Sequence, residues 1–125
     1  MKKDIAGTKD IELLVNRFYE KVKSDARISH FFTDTMKVNW ERHLPVMYRF
    51  WDNALFFTGT YSGHPLEVHQ QLHALENLQA EDFQQWNKLF TETVDELFEG
   101  AKATLAKERA NSISSVMQLK ILKKN

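Results

Sequence analysis

The sequence predicts an all-α fold. Three observations predict it: only four glycines and two prolines interrupt 125 residues, no stretch alternates strictly between apolar and polar, and apolar residues recur at helical spacings instead. The segments so marked amount to about six helices around one core. No internal repeat, low-complexity tract or linker divides the chain, so residues 1–125 are expected to form a single domain.

In the first element Ile11, Leu14, Val15, Phe18, Tyr19 and Val22 fall at i, i+3, i+4, i+7, i+8 and i+11. That is one stripe of a helix at about 9–23, with Thr8 as its cap. Asp25 can cap a short second helix carrying Ile28, Phe31 and Phe32, which Thr33-Asp34-Thr35 then breaks. From Trp40 onward the stripe is Leu44, Met47, Phe50, Trp51, Ala54 and Leu55, closing near Gly59. Pro45 leaves two starts open for this third helix: near Trp40 with a kink at the proline, or at Pro45 itself with His43 just outside.

Tyr61-Ser62-Gly63-His64-Pro65 reads as a loop, and Pro65 opens a short helix through Leu66, His69, Leu72 and His73 to about Glu76. A fifth helix at roughly 80–98 carries Phe83, Trp86, Leu89, Phe90, Val94, Leu97 and Phe98, and Gly100 ends it. A sixth at about 101–122 carries Leu105, Ala106, Ala110, Ile113, Val116, Met117 and Ile121.

Composition removes whole classes of chemistry. With no cysteine there is no disulfide, Cys-ligated zinc, iron–sulfur cluster, thiol nucleophile or covalent c-type haem. Any metal or cofactor must be held by histidine, carboxylate or packing. No stretch approaches the ~18 apolar residues of a membrane span, so a cytoplasmic location without membrane contact is expected. Seventeen basic residues balance seventeen acidic ones. The basic excess gathered in residues 102–125 reads as a solvated helix with a basic tail rather than a nucleic-acid surface. Phosphate loops, the G-x-S-x-G elbow and calcium loops are absent from the sequence.

Fifteen aromatics in so short a chain exceed what short helices need merely to pack. Histidines carry more information, because an imidazole on an apolar face must satisfy its nitrogens with a hydrogen bond or a metal. His69 shares a face with Leu66, Leu72 and His73, and His43 joins the Met47 and Phe50 face if its helix includes it. The i, i+4 spacing of His69 and His73 could also grip one ion, with His64, Glu67 or Glu76 as a third ligand.

Taken in order, Phe18-Tyr19, Trp40-Glu41-Arg42-His43, Phe50-Trp51, Tyr61 to His69 and Phe83-Gln84-Gln85-Trp86 resemble a group III truncated haemoglobin over about residues 11–120. The double-glycine motifs usual in groups I and II are missing, which favours group III. This resemblance implies a shortened globin, a two-over-two sandwich of helices A, B, a short C, E, G and H around haem b (iron protoporphyrin IX), with His69 on the short F segment. It makes His69 the proximal iron ligand and sets Tyr19, His43 and Trp86 on the distal side as hydrogen-bond donors. Donors there are expected to slow release of dioxygen, which acquires partial negative charge when held by iron. Phe32, Met47, Phe50, Trp51, Leu66, Leu72, Phe90 and Met117 would line the haem, and Arg42, Arg49 and His64 are candidates for its propionates.

The function so implied is binding of dioxygen and nitric oxide at haem iron by a monomer. Nitric oxide dioxygenation or peroxidase-like chemistry would then draw its electrons from a separate reductase. Two other readings stand beside it: a haem-based ligand sensor or store without turnover, and a haem-free helical protein with a His69/His73 metal site.

Overall fold

The computed structural model describes residues 2–29, 39–56 and 79–118, without the side chain of Met117. Among these residues four helices form: α1 (Thr8–Ser24), α2 (Trp40–Phe56), α3 (Ala80–Leu97) and α4 (Ala101–Met117). The pair α1 and α2 lies against the pair α3 and α4. Within that arrangement α1 touches both α2 and α3, and α4 touches both α3 and α2. The result is an all-α two-over-two packing, as expected.

Helix α1 buries all six residues of its anticipated stripe, from Ile11 to Val22. Its start differs from expectation. Gly7 occupies the cap position and Thr8 is the first helical residue, with no side-chain capping bond. The Gly7 carbonyl accepts from the Asp10 and Ile11 amides, while the Asp10 carboxylate reaches back 2.8 Å to the Ala6 N–H. The first-turn acid thus satisfies an amide just upstream of the helix, and the side-chain cap expected of the threonine is not made. Asp25 does cap the next turn: its carboxylate accepts from the amides of Arg27 and Ile28 at 2.9 and 3.0 Å.

Helix α2 settles the Pro45 question in favour of the earlier start. It begins at Trp40 with Pro45 inside it, and the Asn39 carbonyl accepts from the amides of Arg42 and His43. Pro45 has no N–H for the Glu41 carbonyl one turn back, so the chain gives up one helical bond near the end, where fraying makes that loss smallest. His43 is thereby fixed in the helix. Gly59 and the short helix anticipated over residues 65–76 lie outside the described residues.

Helix α3 opens with a capping box in which the Gln79 amide donates to Asp82 and the Gln79 side chain accepts in return. Asp82 also takes the Arg27 guanidinium at 2.9 Å, tying α3 to the turn after α1. The helix stops at Leu97, so Gly100 does not end α3 but caps α4. On α4 the buried stripe is Ala103, Ala106, Ala110 and Ser114, with Leu105 and Ile113 at its edge. Val116, anticipated in the stripe, is 47% exposed. Two residues past Ser114 it stands about 200° around the helix from the contact face. Small side chains there let α4 approach α3 closely, and the Ser114 hydroxyl donates to the Phe83 carbonyl across the seam.

Phe90 on α3 stands at the centre and is fully buried. Trp51 of α2 stacks on it at 4.6 Å, and Phe18 of α1 meets it edge-on at 5.2 Å. One side chain thus joins three helices. Outside this core, Glu96 accepts from both Arg17 and Lys21, an exposed clamp between α1 and α3 that adds little beside the apolar contact.

Candidate distal haem site

Three helices converge on one corner of the sandwich. Tyr19 lies in the last turns of α1 and is 6% exposed. His43 lies in the first turn of α2, and its Nε2 stands 3.2 Å from the Tyr19 hydroxyl. The two rings meet edge to face, with centroids 5.3 Å apart. Burial pushes the Tyr19 phenol far above its ordinary value and the His43 imidazolium below its own. Near neutral pH the pair therefore consists of a protonated phenol and a neutral imidazole.

The wall around this pair is aromatic. Trp86, half-buried on α3, packs edge-on to Phe18, the residue before Tyr19, at 5.7 Å. It is offset-stacked on Phe90 one turn further along, at 6.1 Å and 11°. From α2, Met47 and Phe50 lie half-buried against the core one and two turns after His43, and Phe50 meets Trp51 at 5.2 Å. Arg42 and Arg49 are exposed on the same helix.

Tyr19, His43, Met47, Phe50, Trp51, Trp86 and Phe90 thus stand on adjoining surfaces of α1, α2 and α3. Phe32, Leu66, His69, Leu72, His64 and His73 lie outside the described residues, as does the Met117 side chain, whose backbone closes α4. Trp40 was not singled out by the sequence as part of the site. Its ring lies 5.2 Å from that of Tyr19 and 5.7 Å from that of His43. The signal was present in the spacing, since Trp40 precedes His43 by three residues and shares its helix face.

A family model of bacterial-like globins matches residues 3–121. The chain is 30% identical over 121 residues to the group 3 truncated haemoglobin ctb of Campylobacter jejuni, covering 94% of this chain and 93% of that protein. The chain is a group III truncated haemoglobin of the bacterial-like globin family.

The crystal structure of the group III truncated haemoglobin from Campylobacter jejuni superposes on this truncated haemoglobin with a TM-score of 0.86 at 28% identity, covering 100% of this chain and 98% of that one. A group 1 truncated haemoglobin, GlbN of Synechocystis, is 32% identical over 80 residues, 63% of this chain and 62% of that protein. Haem b is the cofactor of this family, and small diatomic ligands bind to its iron. The corner described above suits that group chemically. It offers an uncharged donor pair in an aromatic setting, and Arg42 and Arg49 on α2 are exposed. None of the described helices of this truncated haemoglobin is long and apolar enough to cross a membrane.

Proposed function

We propose that this protein binds dioxygen and nitric oxide under the control of Tyr19, His43 and Trp86 and carries out redox chemistry on them, either nitric oxide dioxygenation or reaction with peroxide. The observation that carries this reading is the 3.2 Å contact between the Tyr19 hydroxyl and His43 Nε2 in an uncharged, buried corner. Haem, when bound, would supply iron chemistry in which a diatomic ligand gathers partial negative charge.

Negative charge arising there is best met by donors fixed in place beforehand, away from water. Tyr19 stays protonated because burial disfavours its phenolate. For Tyr19 to donate to a ligand, its oxygen must accept from His43, which requires the neutral tautomer with hydrogen on Nε2. In that tautomer His43 orients the phenol, and the Tyr19 hydrogen is directed away from the imidazole. The Trp86 indole N–H adds a donor from α3, and the Phe50, Trp51 and Phe90 rings keep water from competing.

In this reading His69 would supply the imidazole that holds the iron, and Phe32, Leu66, Leu72 and Met117 would add apolar side chains to the haem lining. Conversion of nitric oxide and dioxygen to nitrate consumes one electron per turnover. The sequence carries no flavin or nicotinamide motif, so a separate reductase supplies that electron.

Visible absorption of the haem-loaded protein, as ferric, ferrous and ferrous–carbon monoxide forms, beside His69→Ala tests the reading. A stoichiometric histidine-ligated spectrum that His69→Ala abolishes is expected; an identical spectrum in the variant would remove His69 from the iron. Anaerobic reduction followed by mixing with dioxygen and nitric oxide should yield nitrate, and a protein that only binds and releases the gases would refute the redox proposal.

A further inference from the structure

Trp40 makes an unusual set of contacts for the first residue of a helix. Its ring closes a triangle with Tyr19 and His43, the three centroid separations being 5.2, 5.7 and 5.3 Å. The Lys23 ammonium lies over the Trp40 ring, 4.5 Å from its centroid. Lys23 follows Tyr19 by four residues, so α1 presents the phenol and the ammonium on one face, one turn apart. Lys23 is exposed and Trp40 half-buried. The order outward from the core is therefore Tyr19 and His43, then Trp40, then Lys23 and water.

We infer that Trp40 is a positioning residue that holds His43 against Tyr19, and that Lys23 fastens Trp40 over them from the solvent side. The inference rests on the reading of Tyr19 and His43 as the ligand-facing pair and adds what keeps that pair closed.

Three physical points carry it. His43 stands in the first turn of α2, where its side chain leans back toward the residue three positions earlier, so a contact there bears directly on its rotamer. The edge-on Trp40 ring supplies that contact. Next, the neutral state of His43 follows from desolvation, and among the described residues Trp40 is a large group that covers the imidazole from the outer side. Finally, a cation over an indole face is the strongest such pairing among the aromatic side chains, and it is retained at partly exposed sites.

Among the described residues the charged and titratable groups at this corner are few. From α1 they are the Tyr19 hydroxyl and, above Trp40, the Lys23 ammonium; on α2 the neighbours Glu41 and Arg42 are exposed. Among the described residues none of these groups would replace Trp40 beside His43 when the triangle opens, so opening is expected to raise the imidazole's exposure to water.

The test uses the haem-loaded ferrous–carbon monoxide protein, with two readouts that do not measure turnover: the C–O stretching frequency and the pH titration of the His43 ring protons by NMR. Trp40→Ala should raise the pH at which His43 titrates toward the ordinary value of 6.5, shift the C–O stretch toward that of His43→Leu, and speed carbon monoxide association severalfold. Trp40→Phe should restore most of each effect, and Lys23→Met should produce a smaller change in the same direction. If Tyr19→Phe shifts the stretch while Trp40→Ala leaves stretch and titration unchanged, the positioning role is overturned and the distal pair stands. If Tyr19→Phe itself changes nothing, the distal pair falls.

Discussion

Asp4 occupies the space that a side chain at position 100 would need. A Cβ built on Gly100 would lie 2.6 Å from the Asp4 Cγ, and Gly100 has φ of +143°. The carboxylate is there because it caps α4 from 98 residues away, accepting from the Lys102 and Ala103 amides at 2.9 and 2.8 Å. The adjacent Lys3 carbonyl accepts from the Glu99 amide, and Ile5 is buried beside it. The N-terminal segment is thereby stitched to the start of the last helix.

Replacing Gly100 should show this directly. Gly100→Ala strains the backbone and displaces the cap, at a cost of about 1–3 kcal/mol, and Asp4→Ala loses the cap alone, about 0.5–2 kcal/mol. Because the first change already expels Asp4, the double variant should cost less than the sum of the singles. Urea denaturation of all four proteins measures the difference; strict additivity would mean that the two positions act independently.

Acid should destabilise the protein in two separate windows. The folded His43 value lies below the unfolded 6.5, so as pH falls below 6.5 the unfolded chain takes up the proton first and stability declines until the folded value is passed. Above 6.5 this contribution is complete. At Asp4 desolvation pushes the carboxyl up, but the amides of Lys102, Ala103 and Ile5 and the Lys102 charge outweigh it, leaving the value below the ordinary 3.8. Its contribution is complete above 3.8 and disappears as pH falls through the lower folded value. Stability profiles of His43→Leu and Asp4→Asn should each lack one window and keep the other.

Deleting the phenolic donor should act on ligand kinetics. A hydrogen bond to a charged partner is worth roughly 1.5–3 kcal/mol, so Tyr19→Phe should speed dioxygen release about 10- to 150-fold. Stopped-flow displacement by carbon monoxide reads the rate. Trp86→Phe should move it in the same direction, and unchanged rates in both variants would show that neither side chain faces the ligand.

Phe90 is the side chain on which α1, α2 and α3 meet, through Phe18, Trp51 and Trp86. Phe90→Ala should destabilise the fold by about 3–5 kcal/mol. Thermal melting checks this, and the haem-loaded variant should also lose haem faster to an acceptor protein. A loss below 1 kcal/mol would mean that the surrounding rings collapse into the vacancy, as good packing normally forbids.

Periodicity by itself determined α1 and α3, because a 3.6-residue repeat is a local property that Ile11 to Val22 or Phe83 to Leu97 display without reference to anything else. The same repeat placed Tyr19 and Trp86 on apolar faces, and the order and spacing of the segments from Phe18-Tyr19 to Phe83-Gln84-Gln85-Trp86 carried the family resemblance. Tertiary structure decided the rest. Whether Pro45 opens α2 or lies within it depended on packing that outweighs one lost hydrogen bond, and that outcome put His43 within reach of Tyr19. Val116 faced outward because α4 packs through alanines and Ser114 rather than through its largest side chains. Asp4 and Gly100, like Trp40 and Lys23, became partners only once the helices had docked: contacts between residues far apart in sequence are fixed by how faces pack, which no local repeat encodes.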